Sequence, residues 1–124
     1  MEPGSHRSES AKVEHRPWGK FEVLSDDCGD HKVKRITVLP GKRLSLQYHS
    51  RRKEHWLVIS GQALVTIGTE QVRLSPSHAV DIPFGEPHRI ENVGDHDLVF
   101  IEVQQGEYFG EDDIVRIEDD FGRV

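Results

Sequence analysis

The sequence predicts an all-β fold, either an antiparallel barrel or a sandwich, in a single domain. At 124 residues the chain has the length of one ordinary domain. Its apolar residues recur in short runs that are rich in β-branched and aromatic side chains. Turn residues, mainly glycine, proline, aspartate and serine, separate these runs, and no segment has a convincing long helical period. We therefore expect short strands joined by turns along most of the chain.

The predicted elements follow in chain order. Residues 1–12 have almost no apolar side chains, so we expect a flexible N-terminal tail there and a folded domain over residues 13–124. Residues 16–19 mark a turn, and a first strand follows at residues 20–24. The further predicted strands are residues 33–39, 44–49, 55–60, 63–67, 72–74, 79–82, 88–92 and 98–103. The acidic segment 107–124 is predicted to form a closing strand or a short helix, and its periodicity does not decide between them.

Composition narrows the classes of function. The formal net charge is -6, from 22 acidic and 16 basic residues, and no long basic run occurs. Broad electrostatic binding to nucleic acid or to a membrane surface is therefore not expected. The single cysteine, Cys28, excludes an intramolecular disulfide framework and fits a reducing compartment. Because no apolar run approaches the length of a membrane span and the first residues are polar, the expected location is the cytoplasm.

The stretch from residue 41 to residue 61 carries the first chemical signal. Gln47 and His49 are two positions apart, so in an extended strand both side chains project to the same face. Glu54 follows shortly after them, and apolar residues lie between these polar positions. An amide oxygen, an imidazole and a carboxylate placed in this way indicate a metal ion.

A second stretch, residues 83–92, supplies a fourth potential ligand. Two prolines and a glycine form a stiff bend that places His88 at the beginning of a strand, where it could face into a barrel. Together with Gln47, His49 and Glu54 it makes a set without thiolate and with one negative charge. Such a set suits a divalent ion that keeps an open position rather than a closed structural zinc site. The alternative is that these groups only hydrogen-bond one another.

The two stretches resemble the two motifs of the cupin superfamily. Matches to the first motif are Gly41, His49, Glu54 and Gly61, with Gln47 at the position of its first histidine. Matches to the second are Pro83, Gly85, His88 and Asn92, with Ser77 at its leading glycine. The resemblance implies a single-domain cupin, that is, a double-stranded β-helix or jelly-roll barrel.

From Arg16 onward the chain further resembles the C-terminal cupin domain of the type II phosphomannose isomerases, which join mannose-6-phosphate isomerase to mannose-1-phosphate guanylyltransferase. The resembling segments are residues 16–19, 33–36, 44–47, 54–56, 88–89, 91–92 and 110–116. This resemblance implies a free-standing, metal-dependent isomerase that interconverts mannose 6-phosphate and fructose 6-phosphate. No nucleotidyltransferase segment is present, so guanylyl transfer is not expected. The implied cofactor is a divalent ion, with zinc favoured over cobalt, manganese, nickel and iron.

The resemblance also assigns roles beside the metal. Arg52 and Arg89 match the family's arginines next to the two motifs, and a guanidinium suits a phosphate because it offers paired donors. We expect both to bind substrate, with Arg52 as the first choice and as a catalytic residue. Trp56 is expected to form part of the pocket wall and to bind substrate together with the two arginines.

The general base is open at this stage. The candidates are Lys34 and Glu91, with His55 as a further one. Glu91 lies three positions from His88, so in a regular strand the two side chains would face opposite ways.

Two other functions compete with isomerisation. One is a non-catalytic sugar or sugar-phosphate binding cupin that acts with a separate nucleotidyltransferase, because Ser50 and Arg51 depart from the histidines usual in the family. The other is a cupin dioxygenase, disfavoured because Gln47 removes one histidine from the usual iron set. The expected partners are a small sugar phosphate and a second copy of the chain in a homodimer, which would cover exposed edge strands.

Overall fold

Two antiparallel sheets face each other across one core in the computed structural model, which describes residues 12–26 and 29–123. In chain order the strands are β1 Lys12–Arg16, β2 Gly19–Ser25, β3 His31–Val38, β4 Leu46–His49, β5 Arg52–Ser60, β6 Ala63–Ile67, β7 Glu70–Leu74, β8 Ala79–Ile82, β9 His88–Asn92, β10 Leu98–Gly106 and β11 Ile114–Glu118, with a 3-10 turn at Glu111–Asp113. The order in sheet A is β1-β2-β3-β10-β5-β8, and in sheet B it is β11-β4-β9-β6-β7. The all-β prediction is confirmed.

The interior has an apolar end and a polar end. Along β10 the buried side chains change from Leu98 and Phe100 to Glu102 and Gln104. The neighbouring strand β5 is antiparallel, with Glu102 opposite Trp56. Its buried side chains therefore change from polar to apolar along the chain, in the order opposite to β10. One end of the barrel is filled by hydrophobic side chains, whereas buried charged and amide groups line the other. The polar end is where a ligand site can form, because buried polar groups need partners.

Asn92, a residue of the second motif, holds the apolar end together. Its Nδ2 donates to the carbonyl oxygens of Val38 and His96, each at 2.8 Å, and its Oδ1 accepts from the backbone N–H of Gly94 at 2.9 Å. The side chain is buried. Asn92 therefore joins the end of β3 to the turn before β10.

Most predicted strands are present in the structure. The strands near the two ends of the chain, β1 and β11, became known only from the structure. Strand β1 was not predicted because its five residues are mostly polar and exposed; it forms a sheet edge that pairs with β2, with Lys12 opposite Val23. Lys12 thus lies in a strand, while residues 1–11 of the predicted tail and Cys28 lie outside the described residues. For segment 107–124 the sequence did not decide between a strand and a helix. The segment contains strand β11, which pairs with β4.

No helix in the described ranges has the length and hydropathy needed to cross a membrane.

We expect the two glycines of the first motif to tolerate alanine differently. Both adopt positive φ, 76° at Gly41 and 92° at Gly61. A Cβ at Gly41 would meet nothing within 4 Å, whereas one at Gly61 would lie 2.8 Å from the Asp97 carbonyl oxygen and from the Leu98 Cα. Gly41→Ala should lower the free energy of unfolding by about 1–2 kcal/mol through backbone strain alone. Gly61→Ala should cost about 1–3 kcal/mol more through the clash. Urea denaturation of both variants measures the difference, and equal losses would contradict it.

Candidate metal centre

His49, Glu54 and His88 meet at the polar end of the barrel. They come from β4, β5 and β9, and one potential ligand atom from each lies within 4.8 Å of the other two. All three side chains are buried. Gln47 joins them, because its Oε1 lies 3.3 Å from Nε2 of His49. The structure therefore brings together all four side chains that the sequence predicts as ligands.

The strand pairing explains this convergence. Gln47 and His49 share a face of β4 because two residues separate equivalent positions on a strand. Gln47 pairs in register with His88 on β9, within sheet B. Glu54 reaches them from the opposite sheet. The site thus depends on the packing of the two sheets, not on either motif alone.

The donor atoms suit a divalent cation. Gln47 Nε2 donates to Ser45 Oγ at 3.0 Å, which directs Oε1 toward His49. The Nδ1 atom of His88 donates to the carbonyl oxygen of Glu86 at 2.8 Å and leaves Nε2 with its lone pair. A histidine ligand commonly uses its second nitrogen in this way. The 3.3 Å between Gln47 Oε1 and His49 Nε2 is close to the about 3.4 Å that separates two ligands of a tetrahedral zinc ion.

Both histidines are neutral near pH 7. Burial lowers the pKa of His49 to about 3, and the nearby positive charge of Arg52 acts in the same direction. Burial also lowers the pKa of His88, although its hydrogen bond to Glu86 opposes the shift. Neutral imidazole is the form that binds metals, so both side chains are held in the ligand form.

A second carboxylate, Glu102, lies beside Glu54. The indole Nε1 of Trp56 donates to both, at 2.9 Å to Glu54 Oε1 and 3.1 Å to Glu102 Oε1. Burial and the neighbouring charge of Glu102 raise the pKa of Glu54 well above its usual value. Burial disfavours the charge on Glu102 as well, but Lys34 and hydrogen bonds outweigh it and lower its pKa to about 2. A proton held on Glu54 would be displaced by a bound cation.

Sequence reasoning missed Glu102, although a signal was present. Glu102 is two positions after Phe100 and four after Leu98, in a predicted strand, so alternation places it with these apolar residues on the inner face. A charged residue at a position that alternation assigns to the core indicates a functional or structural role.

The four potential ligands line a cavity that is partly open to solvent. Its walls carry six basic side chains in addition to the ligands: Arg16, Lys34, Arg52, Arg89, Arg116 and Arg123. Three acidic side chains also line it, Glu54, Glu102 and Glu111. Apart from the histidines, positive charge therefore predominates here, although the whole chain has a net charge of -6.

Arg52 and Lys34 lie inside this cavity, and both are buried. Arg52 donates to Glu54 Oε2 at 3.0 Å and to His49 Nε2 at 3.2 Å, so it contacts two of the potential ligands directly. The Nζ of Lys34 lies 3.4 Å from Glu111 Oε2 and 4.1 Å from the centre of the Phe21 ring.

The remaining predicted site residues are divided between the cavity and the outside. Trp56 and Arg89 line the cavity. Glu91 is not among its lining residues, and His55 is an outward residue whose Nδ1 lies 2.7 Å from Asp81 Oδ1. Neither is positioned as a base beside the four ligands.

Comparison with known proteins places the chain in a family. A family model described as mannose-6-phosphate isomerase C-terminal matches residues 4–119. XanB, a xanthan biosynthesis protein of Xanthomonas campestris pv. campestris, is 53% identical over 89% of this chain and 23% of XanB. ManC of Salmonella typhimurium, named as a mannose-1-phosphate guanylyltransferase, is 47% identical over 98% of this chain and 25% of ManC. The chain spans about a quarter of these relatives' length.

A solved structure supports the cupin fold. The cupin domain of Cnp3 from Schizosaccharomyces pombe superposes with a TM-score of 0.71 at 14% identity, over 80% of this chain and 71% of that one. At this identity the likeness concerns the fold alone. The predicted cupin fold is confirmed.

The isomerase prediction is wrong. It expected a free-standing enzyme that interconverts mannose 6-phosphate and fructose 6-phosphate. The relatives that align with the chain are named instead as a mannose-1-phosphate guanylyltransferase and as a xanthan biosynthesis protein, and the chain corresponds to one part of each. The prediction transferred an activity from a domain resemblance, whereas a shared fold and motif do not determine a reaction.

We expect His49→Ala and His88→Ala to lose bound divalent metal. Each substitution removes a neutral nitrogen donor from a site that offers four protein ligands. Purified wild-type protein equilibrated with zinc should retain about one ion per chain, measured by elemental analysis after desalting. Zinc should also raise its melting temperature.

His96→Ala is the matched control, because the His96 side chain is 89% exposed and lies away from the four ligands. Retention of a full zinc equivalent by both His49→Ala and His88→Ala would contradict the assignment.

Proposed function

Because this chain belongs to the mannose-6-phosphate isomerase C-terminal family, we propose that it binds a sugar phosphate in the cavity of its barrel, next to a divalent metal ion. In this proposal the domain binds its ligand and acts with a mannose-1-phosphate guanylyltransferase in the synthesis of sugar nucleotides. Isomerisation is not part of the proposed role.

The observation that carries the proposal is the concentration of positive charge around the four potential ligands. Six arginine and lysine side chains line one cavity in an acidic chain. Such a cavity attracts an anion, and arginine in particular recognises phosphate through paired N–H donors. Hydroxyl groups of a sugar would complete the ligand, because the same cavity offers carboxylate and amide groups that bind them.

The relatives support the choice of ligand and partner. ManC carries the name mannose-1-phosphate guanylyltransferase, and this chain matches a quarter of it at 47% identity. The family description names mannose 6-phosphate. Both names point to phosphorylated mannose as the class of ligand.

In the proposed site Gln47, His49, Glu54 and His88 hold the metal, and zinc is a divalent ion that such nitrogen and oxygen donors bind. The bound ion would supply a Lewis acid that attracts an oxygen of the sugar. Arg52 orients Glu54 through its hydrogen bond to Oε2, and Trp56 holds Glu54 from the other side. Arg52 and Trp56 therefore position ligands in addition to lining the cavity.

We expect zinc-loaded protein to bind mannose 1-phosphate or mannose 6-phosphate with a dissociation constant in the micromolar to low millimolar range, which is about 4–8 kcal/mol of binding free energy. Isothermal titration calorimetry with each sugar phosphate measures this. Mannose without phosphate should bind at least tenfold more weakly, because it lacks the group that the arginines attract.

The control is Arg73→Met, which removes an exposed positive charge on β7 outside the cavity and should leave binding unchanged. Equal affinity for mannose and both sugar phosphates would overturn the proposal. Conversion of either sugar phosphate during the titration, detected by NMR, would contradict a role limited to binding.

A further inference from the structure

The cavity contains six basic side chains, and most of them pair with a carboxylate. Arg16 bonds to Glu14 at 2.9 Å. Arg123 contacts both carboxylate oxygens of Asp119, at 2.6 and 3.0 Å. Arg52 and Lys34 are paired with Glu54 and Glu111 as described above. Each of these four side chains has a carboxylate partner.

Arg89 also has a carboxylate partner, Glu118, but Arg89 and Arg116 differ from the other four in each having a buried N–H group without a partner in the described part of the chain. The Nη2 atom of Arg89 and the Nε atom of Arg116 are buried, and neither has a hydrogen-bond partner among the described residues. Arg89 as a whole is 7% exposed. A buried, unpartnered N–H is costly, so native structures rarely keep one without a ligand or water. Two such donors on cationic side chains that line one cavity indicate a site for an anion.

Arg89 and Arg116 line the same cavity, and their strands are separated in sheet B only by β4. Arg116 pairs in register with Gln47, and Gln47 pairs with His88, next to which Arg89 lies in the chain. The row therefore crosses β11, β4 and β9, with neighbouring strands about 5 Å apart. Arg89 is also joined to β11, because its Nη1 donates to Glu118 Oε1 at 3.1 Å.

The rest of Arg89 is fixed in a way that leaves Nη2 available. Its Nε donates to the carbonyl oxygen of Leu44 at 3.0 Å. With Nε and Nη1 both occupied, the guanidinium is held in one orientation before any ligand arrives. A donor held in advance loses little conformational freedom on binding.

We infer that Arg116 and Arg89 form the subsite that binds the phosphate group of the ligand, beside the proposed metal ligands. This inference rests on the proposed function for the identity of the ligand, and it assigns the phosphate to a different pair from the one expected from sequence, in which Arg52 came first. Arg52 is committed to Glu54 and His49. The sugar would then lie between the arginine pair and the metal ligands.

The test is Arg116→Met, compared with Arg116→Lys, Arg89→Met and the control Arg73→Met. Arg116 is half-buried on the outermost strand of sheet B, so Arg116→Met is the variant expected to fold. Affinities for mannose 6-phosphate and for inorganic phosphate are measured by calorimetry, on zinc-loaded and on metal-free protein. Melting temperature and zinc content show whether each variant keeps the fold and the metal site.

Arg116→Met should weaken binding of both mannose 6-phosphate and inorganic phosphate by about 10- to 100-fold, the usual effect of losing a hydrogen bond to a charged group. Zinc content should stay unchanged. Arg116→Lys should lose less, because it keeps the charge but not the paired donors. Inorganic phosphate should bind metal-free wild-type protein, since the subsite does not need the ion.

The outcomes separate the two proposals. If wild type binds mannose 6-phosphate and Arg116→Met binds it equally well, the subsite is overturned and the proposed function stands. If inorganic phosphate binds through Arg116 but mannose 6-phosphate binds no more tightly than phosphate, the subsite stands and the proposed function fails. If phosphate binding requires zinc and is unchanged in Arg116→Met, the anion binds the metal and the subsite is overturned. If wild type binds neither phosphate nor mannose 6-phosphate, the subsite and the proposed function are both overturned.

Discussion

Burial of the Glu54 carboxylate is the constraint on which the polar end of the barrel depends. The side chain is almost inaccessible, and a buried carboxylate is tolerated only with several partners. Its Oε1 accepts from Trp56 and its Oε2 from Arg52, and His49 Nδ1 lies 3.4 Å away. Each of these partners is itself buried. Glu54 therefore organises the side chains around the proposed metal site before any ion is bound.

The two ends of the barrel have different roles: the apolar end stabilises the fold, and the polar end carries the proposed binding site. At one end Val58, Phe100 and Ile90 are fully buried and pack into the core. At the other end the same strands carry Glu54, Glu102 and His88. Because the strands are continuous, the apolar end holds the polar end in place. A site built on strands in this way keeps its geometry better than one built on loops.

The basic side chains of the cavity have different roles, which their hydrogen-bond partners reveal. A count of basic residues would treat the six cations as equivalent. The hydrogen bonds distinguish Arg52, which orients Glu54, from Arg89 and Arg116, which keep buried N–H groups without partners among the described residues. The acidic surface of the chain does not prevent an anion from binding to these arginines, because salt screening limits the effect of exposed charges to about 10 Å in 0.1 M salt.

The sequence by itself determined the strand character, the common face of Gln47 and His49, and the position of His88 at the start of a strand. These properties are local, because a period of two and a proline-glycine bend need no distant residue. Only the tertiary structure decided that Glu102 lies beside Glu54 and that β11 places Arg116 next to Gln47. Such contacts join residues far apart in sequence, and which strands become neighbours depends on how the two sheets close over the core. The predicted isomerase activity came neither from these local sequence properties nor from tertiary contacts. It was inferred from the resemblance of one domain to a family.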